Sequence, residues 1–191
     1  MAADVQALRY GWVASALHWL IGLVLLGQVA FGFLLDEIAP SNTPSRGTVI
    51  NLHKSIGITL GVLIVARLAW RLKHRPPPWP ASMPAWQRRA ADLGHLALYA
   101  CMLVMPASGY LASNFSEYGV KLFGRALEPW GPNLPEVYTA FNTLHIVTAW
   151  LFTALVTGHV LIAVRHAVVE RYDIFSRISP WPPRPASKEV S

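Results

Sequence analysis

Four long apolar runs alternate with polar segments along this chain of 191 residues. The runs cover about 12–35, 51–70, 92–113 and 139–165, and each is close to the roughly 20 apolar residues that a helix needs to cross a bilayer. Inside lipid, a helix satisfies its own backbone hydrogen bonds. The pattern therefore predicts an all-α, integral membrane four-helix bundle. We expect a single transmembrane domain over 1–191, with a basic C-terminal tail at 166–191.

The composition agrees with a membrane protein and excludes cofactor sites that depend on several cysteines. Hydrophobic residues make up 53% of the chain and charged residues 14%, whereas a soluble domain carries about 25% charged residues. Residues 1–10 lack the basic start of a signal peptide, so we expect the first run to remain as a span. The single cysteine, Cys101, excludes an intrachain disulfide, a thioether-attached haem and an iron–sulfur cluster. No motif for nucleic-acid binding is visible.

The placement of charges predicts the orientation. Twelve of the 16 Lys and Arg residues fall on one side of the runs, while the acidic residues divide evenly between the sides. Because cytoplasmic loops carry an excess of Lys and Arg, we expect both termini and the loop 71–89 in the cytoplasm. The twelve residues are Arg9, Arg67, Arg71, Lys73, Arg75, Arg88, Arg89, Arg165, Arg171, Arg177, Arg184 and Lys188.

Two histidines in the last run suggest a cofactor. His145 and His159 are 14 residues apart with no charged residue between them. Fourteen residues make nearly four helical turns, so both imidazoles lie on one face, roughly 21 Å apart along the axis. A polar side chain in lipid needs a partner, because an unpaired one costs several kcal/mol. The spacing therefore suggests two stacked cofactors, with haem as the leading candidate.

Two more histidines match these depths. His53 lies at the outer end of the second run, like His145, and His18 lies in the cytoplasmic half of the first run, like His159. Each pair offers two nitrogens for the axial positions of an iron. A porphyrin packed between helices needs small residues beside its ligands, and the candidates are Gly22, Gly57 and Gly61.

Arg67 is a further indication of a bound haem. The histidines, the glycines and Arg67 each also have an explanation that needs no cofactor. Arg67 follows His53 by 14 residues, so it lies at the depth of the inner pair, where a haem propionate would be a suitable counter-ion. However, a single histidine in a membrane helix is often just a hydrogen-bond partner, and a GxxxG motif is often plain helix packing. An arginine near a helix end often snorkels to the surface. The four histidines taken together favour the cofactor.

Six motifs follow one another along the chain: SALHWL at 15–20, INLHKSIG at 50–57, RLAWRLKHRPP at 67–77, DLGHLALY at 92–99, MPASGY at 105–110, and LHIVTAW with TGHVLIAVRH in the last run. In this order, over about 9–180, they resemble the bacterial four-helix di-haem cytochrome b561 family, which includes the superoxide oxidase type. The cytochrome b subunits of formate dehydrogenases and NiFe hydrogenases are more distant relatives.

This resemblance implies a protein of the bacterial inner membrane with two non-covalent haem b groups. It makes His18 and His159 the ligands of one haem, and His53 and His145 the ligands of the other. His95 and His166 match recurrent histidines of the family, and we expect either to lie near a ubiquinone site on the cytoplasmic side.

Three functions are open at this point. The first is a stand-alone oxidoreductase that takes electrons from superoxide on the periplasmic side and reduces ubiquinone in the membrane; Lys54, beside His53, would steer the anion inward. The second is a membrane anchor and electron-conduit subunit of a larger oxidoreductase, with a redox partner protein on the periplasmic side. The third and weakest is a His-lined metal transporter, which needs carboxylates or thioethers that the runs almost lack.

Overall fold

The computed structural model describes residues 9–170 and 174–181 of the chain. Its long helices are α1 (Trp12–Phe33), α3 (Arg46–Lys73), α4 (Ala85–Asn114) and α5 (Pro135–Val168), and its short ones are α2 (Leu35–Ile38) and α6 (Ile174–Arg177). All four long helices are long and apolar enough to cross a membrane. The predicted all-α membrane bundle is confirmed. Arg171, Arg184, Lys188 and the tail beyond 181 lie outside the described residues.

The helices extend past the apolar runs into polar residues. Helix α3 begins at Arg46, whose guanidinium forms an ion pair with Asp36 at 2.9 Å and donates to the carbonyl of Ala39 at 2.6 Å. Helix α5 begins with Pro135, which suits the first helical position because its missing N–H would have no partner there. Helix α4 continues through Pro106, at the cost of one backbone donor.

A small hairpin lies between α4 and α5 and covers one end of α3. Its strands are β1 (Val120–Leu122) and β2 (Arg125–Leu127), which pair antiparallel. The turn residues Phe123 and Gly124 both have positive φ, 48° and 88°, as a tight two-residue hairpin turn requires. Ser55 of α3 accepts from the backbone N–H of Phe123 at 2.9 Å and donates to the carbonyl of Lys121 at 3.0 Å. We call this the hairpin end.

The opposite end, which we call the basic end, is formed by residues 9–11, 74–84 and 174–181. The backbone N–H of Tyr10 donates to the carbonyl of Arg177, and the indole of Trp19 donates to the carbonyl of Ile178. Arg177 itself donates to the carbonyl of Pro78 at 2.8 Å. Burial lowers the pKa of its guanidinium, although an arginine remains protonated at physiological pH. The first and last described segments therefore lie at the same end.

An apolar layer fills the middle of the bundle between these ends. Phe152 of α5 is 2% exposed and lies seven residues from both His145 and His159, which is about two helical turns in each direction. The layer therefore separates two levels at which histidines meet. Its buried members are Ile21, Leu25, Leu60, Ile64, Cys101, Met102, Met105 and Phe152.

Candidate functional site

Two pairs of histidines meet in the bundle, one on each side of the apolar layer. At the hairpin end, His53 of α3 and His145 of α5 have ring centroids 6.2 Å apart. Toward the basic end, His18 of α1 and His159 of α5 have ring centroids 6.4 Å apart. The structure thus brings together the same two pairs that the sequence matches by depth. Helix α5 contributes to both because 14 residues return to the same face.

The spacing within each pair suits one metal ion held between two imidazoles. A metal–nitrogen bond of about 2.0–2.1 Å, with about 1.1 Å from nitrogen to ring centroid, puts the two centroids about 6.3 Å apart. A direct hydrogen bond of about 3.0 Å between the rings would hold the centroids within about 5.2 Å. The observed distances of 6.2 and 6.4 Å fit the first arrangement.

The ring of His145 is held in the form that a metal ligand needs. Its Nδ1 lies 2.7 Å from the backbone carbonyl oxygen of Met105 on α4. A carbonyl only accepts, so Nδ1 carries the proton and Nε2 keeps its lone pair. Metal-binding histidines are commonly fixed in this way. Gly109 permits the close approach, because a Cβ there would lie 2.9 Å from Nδ1 of His145.

His53 is surrounded by residues of α1. The side-chain amide of Gln28 donates to the backbone carbonyl of His53 at 2.6 Å and lies 3.0 Å from its Nδ1. Gln28 is buried, and its Oε1 has no hydrogen-bond partner among the described residues. A Cβ at Gly32 would lie 3.1 Å from Cε1 of His53. Helices α1 and α4 supply no histidine at this level, but each supplies a glycine against which a ring packs.

A cavity of about 920 Å³ surrounds the pair at the hairpin end. Cofactor and ligand pockets typically have volumes of about 300–1,000 Å³ and mostly apolar walls. Here the deep wall is apolar, with Leu25, Leu60 and Ile64, while Lys54 and Lys121 lie toward the hairpin. The space therefore suits a large flat group with an apolar body and a polar edge.

Arg67 of α3 contacts the pair toward the basic end. Its Nη2 lies 3.0 Å from Nδ1 of His18, and its guanidinium lies over the ring of Tyr99 at 5.8 Å. No carboxylate of the described residues forms an ion pair with Arg67. A guanidinium only donates, so Nδ1 of a neutral His18 accepts and Nε2 carries the proton. Metal binding through Nε2 therefore requires Arg67 to turn to another acceptor, such as a carboxylate.

Gly22 and Ser15 lie near His18 and both leave room or hydrogen-bonding capacity for a bound group. A Cβ at Gly22 would meet nothing within 4 Å. The hydroxyl of Ser15, one turn before His18, is fully buried and has no hydrogen-bond partner among the described residues. An open volume and an unsatisfied donor beside the pair are both suited to a bound group.

The other two predicted glycines lie on the face of α3 that packs against neighbouring helices. A Cβ at Gly61 would lie 3.4 Å from the ring of Pro106 on α4, and one at Gly57 would lie 3.6 Å from the amide of Gln28. Gly61 therefore allows close helix packing, and Gly57 makes room for Gln28 beneath His53. The sequence did not single out Gly32, Gly109 or Gln28, although Gly109 belongs to the MPASGY motif.

His95 and His166 occupy different surroundings. His95 of α4 lies beside His159, with ring centroids 5.5 Å apart, and stacks on Trp79 at 6.2 Å. His166 lies two turns further along α5, where its Nδ1 is 2.6 Å from a carboxylate oxygen of Glu170. We therefore separate the two candidates: His95 belongs to the level of His159, and His166 belongs to a largely buried cluster around Glu170 toward the basic end.

Glu170 is the centre of that cluster. Its carboxylate accepts from Arg165 at 2.9 Å and from the amide of Gln87 on α4 at 3.4 Å, in addition to His166. Its side chain is 16% exposed. Sequence analysis did not find this cluster, because His and Glu four residues apart are a common pair on helices of every kind.

Lys54 is both a charge and a structural contact. Its ammonium donates to the carbonyl of Gly119 at 2.9 Å, next to the hairpin, and the side chain is only partly exposed. Lys121 and Arg125 of the hairpin are exposed. Lys54 and Lys121 both line the cavity, together with Arg46, which is paired with Asp36, while Arg125 lies on the same hairpin.

The geometry gives no support to a multi-ligand metal site. Within residues 9–170 and 174–181, no group of three or more His, Cys, Asp or Glu side chains could hold a metal ion. A transporter for zinc, iron or copper would need such a convergence in its path.

Comparison with known proteins identifies the family of this chain. A family model of prokaryotic cytochrome b561 matches residues 9–181. Cytochrome b561 homolog 2 of Escherichia coli is 32% identical over 172 residues, covering 89% of this chain and 90% of its own length. Cytochrome b561 homolog 1 of the same organism is 25% identical over 172 residues, covering 90% and 97%.

A shorter similarity covers only part of the chain. It is to a glycerol-3-phosphate acyltransferase of Trichlorobacter lovleyi, at 29% identity over 98 residues, or 44% of this chain. The longer matches extend across all four apolar helices. The chain belongs to the prokaryotic cytochrome b561 family, and is thus a multi-pass protein of the bacterial inner membrane that transfers electrons through haem b.

Proposed function

We propose that the protein takes electrons from superoxide at the outer surface and delivers them to ubiquinone at the cytoplasmic side, through two haem b groups. His53 and His145 would hold one haem, and His18 and His159 the other. The observation that carries the proposal is the pair of centroid distances, 6.2 and 6.4 Å, on either side of an apolar layer.

The residues present fit this cofactor. The pair at the hairpin end has a cavity of suitable size, glycines opposite both rings, and a ring nitrogen of His145 directed by Met105. The pair toward the basic end has open space at Gly22 and a guanidinium, that of Arg67, for a propionate. When bound, a b-type haem with two imidazole ligands has no open iron position and exchanges single electrons.

The hairpin end supplies what a small anionic donor requires. Lys54 and Lys121 place positive charge in the lining of the cavity of the His53 pair, and Arg125 adds a charge on the same hairpin. Fixed positive charge raises the rate at which an anion arrives. By the positive-inside rule this end faces the periplasm and the basic end faces the cytoplasm.

The basic end supplies what a quinone requires. Reduction of a quinone to a quinol consumes two electrons and two protons. His166 carries its Nδ1 proton toward Glu170, and a histidine held by a carboxylate is a common proton donor. We assign the quinone to the neighbourhood of this cluster, with His166 as its proton donor. His95, which lies beside His159, would border the same site from α4.

The reaction balances without any further reactant. Two superoxide anions each lose one electron and become O₂. One quinone gains both electrons and takes two protons from the cytoplasmic side, which gives one quinol. The residues of the chain keep the two half-reactions apart, since the apolar layer around Phe152 separates their sites.

The test uses the full-length protein purified in detergent with its haem. Superoxide generated in solution should reduce the haem, and added ubiquinone should reoxidise it, with two superoxide consumed per quinol formed. The control is a soluble bis-histidine cytochrome under the same superoxide flux. Reduction no faster than in this control would overturn the superoxide step. Rapid reoxidation by quinone in that case would favour an electron-conduit subunit that receives its electrons from a partner protein.

A further inference from the structure

We propose that Gln28 of α1 is a positioning residue for His53, and that its amide oxygen holds the ring of His53 in the orientation in which Nε2 binds iron. The proposal rests on the part of the proposed function that places a haem between His53 and His145. It concerns a residue that belongs to neither histidine pair.

Three residues of α1 surround the ring of His53. Gln28, Phe31 and Gly32 are spaced i, i+3 and i+4, so they lie on one face of the helix. The amide Nε2 of Gln28 lies 3.0 Å from Nδ1 of His53. The ring centroid of Phe31 lies 5.6 Å from that of His53, and a Cβ at Gly32 would lie 3.1 Å from Cε1 of His53. This face of α1 therefore determines how the ring of His53 is rotated.

The amide of Gln28 has one satisfied end and one unsatisfied end. Its Nε2 donates to the backbone carbonyl of His53 at 2.6 Å. Its Oε1 is buried and has no hydrogen-bond partner among the described residues. A contact that only joins α1 to α3 would need the donor alone, and a buried acceptor without a partner costs about 1–3 kcal/mol. The unsatisfied oxygen therefore indicates a further donor close to the ring.

The donor that fits is Nδ1 of His53 itself. A histidine that binds iron through Nε2 carries its proton on Nδ1, and this proton is commonly held by an acceptor. At His145 the acceptor is the carbonyl of Met105, at 2.7 Å. Within the described part of the chain, the ring of His53 has Gln28 as its hydrogen-bond partner and no backbone carbonyl. Because Oε1 and Nε2 of Gln28 are bound to the same carbon, a turn of the amide brings Oε1 to Nδ1.

The consequence is a fixed angle between the two rings of this pair. The ring planes of His53 and His145 are 88° apart, and those of His18 and His159 are 63° apart. The g values of an oxidised low-spin haem depend on the angle between its two axial imidazole planes, and the largest g value is highest when the planes are perpendicular. The pair at the hairpin end should therefore give the signal with the larger maximum g value, and any rotation of His53 should lower it.

Electron paramagnetic resonance of the oxidised, full-length protein tests the proposal without superoxide or quinone. Gln28→Met has a similar length but no acceptor, so the largest g value of this signal should fall while the other signal stays in place. Gln28→Glu keeps an acceptor oxygen and should remain close to the wild type. Thr153→Val is the matched control, because it removes a hydroxyl that donates to the carbonyl of Ala149 at 2.8 Å within α5. It should leave both signals unchanged.

Retention of haem is the second measurement. Loss of the hydrogen-bond partner of a metal ligand typically costs 10–100-fold in affinity. Gln28→Met should therefore release one of its haems to an excess of apomyoglobin about 10-fold faster than the wild type, and Gln28→Glu should not. Gly32→Ala decides the matter if Gln28→Met retains too little haem for a spectrum. Its methyl group presses on Cε1 of His53 without removing the amide, so it should lower the same g value.

The contrary results are equally specific. A Gln28→Met protein that keeps both its haem and its g values would overturn the proposal and leave Gln28 as a packing contact. Equal loss of haem in Gln28→Met and Gln28→Glu, or a change in both signals, would also overturn it. A signal that survives His53→Ala would instead refute the haem assignment on which the proposal rests. The expected signals in a protein that ignores superoxide would support the role of Gln28 and refute only the proposed electron donor.

Discussion

His95 and His159 lie side by side toward the basic end, with ring centroids 5.5 Å apart. Three histidines from three helices therefore meet at this level. The His95 ring is nearly parallel to Trp79, whose indole donates to Asp92, so its plane is fixed by the loop and by α4. Its distance from His159 is shorter than the 6.4 Å of His18 and shorter than the about 6.3 Å of a shared metal. His95 is a neighbour of the pair rather than the better second ligand.

This relationship makes the ligand assignment testable. If each pair holds one iron, as proposed, His53→Ala and His145→Ala should each remove the same spectral component, and His18→Ala and His159→Ala should each remove the other. The haem-to-protein ratio should fall from about two to about one in every case. The measurement is the reduced-minus-oxidised spectrum together with the extracted haem content.

Two further variants provide the controls. His74→Ala should keep both components, since His74 is exposed and stacks on Trp70. His95→Ala should also keep both. A His95→Ala protein that loses one haem, alongside a His18→Ala protein that keeps two, would assign the second ligand to α4 instead of α1.

The sequence predicts those parts of the site that depend on position along a helix. The 14-residue spacing of His145 and His159 determines their common face, and depth in the membrane selects His53 and His18 as partners. Arg67 follows from the same arithmetic, and the structure brings it into contact with His18. All of these predictions use only the number of residues between two positions, which a regular helix converts directly into a distance and an angle.

Other features of the site could not be predicted from the sequence, because they depend on which helices are neighbours and on how each helix is rotated about its axis. The glycines opposite the hairpin-end rings, Gly32 and Gly109, come from helices that carry no ligand there. The nearness of His95 to His159 depends on the packing of α4 against α5. The hairpin was also not predicted, because its three-residue strands are too short for an alternating pattern and its turn begins with Phe123 at positive φ.

The cluster around Glu170, which includes His166, should govern reoxidation by quinone. His166→Ala should slow this step by about 10²-fold or more, since a positioned proton donor contributes about that much. Glu170→Gln should slow it less, because the amide can still hold the ring but no longer stabilises its charge. Stopped-flow mixing of the reduced protein with ubiquinone measures both, and reduction by dithionite should be unaffected.

Arg88→Gln is a suitable comparison for that experiment, because it removes a charge near the start of α4 and outside the Glu170 cluster. Its reoxidation rate should stay within about twofold of the wild type. Equal slowing by Arg88→Gln and His166→Ala would mean that the effect comes from net charge, and would contradict a proton-donating role for His166.

The distribution of basic residues predicts how the protein is oriented in the membrane. That end contains both described terminal segments, and nine of the 13 Lys and Arg residues of the described chain lie toward it, so it should face the cytoplasm. A green fluorescent protein fused after residue 191 should fluoresce, and alkaline phosphatase fused there should be inactive. A phosphatase inserted in the hairpin turn, between Phe123 and Gly124, should be active. The reverse pattern would exchange the outer and inner assignments of the two pairs.

Steering of superoxide by Lys54 and Lys121 is the prediction that separates an enzyme from a conduit. Lys121→Glu should slow reduction of the haem by superoxide by about threefold to tenfold at low salt, since fixed charge near a site changes the arrival rate of an ion. The difference from wild type should shrink as salt rises, because the screening length is about 10 Å at 0.1 M.

Lys54 needs a more careful design, because its ammonium also holds Gly119. Lys54→Glu removes both the charge and this contact, whereas Lys54→Arg keeps the charge and can still donate. If steering is the cause, Lys54→Arg should react like wild type, and Lys54→Glu should lose rate while keeping both haems. Lys73→Glu makes the same change of charge at an exposed position of the basic end, and should leave the superoxide rate unchanged. A uniform loss in all three variants, or rates insensitive to salt, would remove the hairpin end as the site where superoxide arrives.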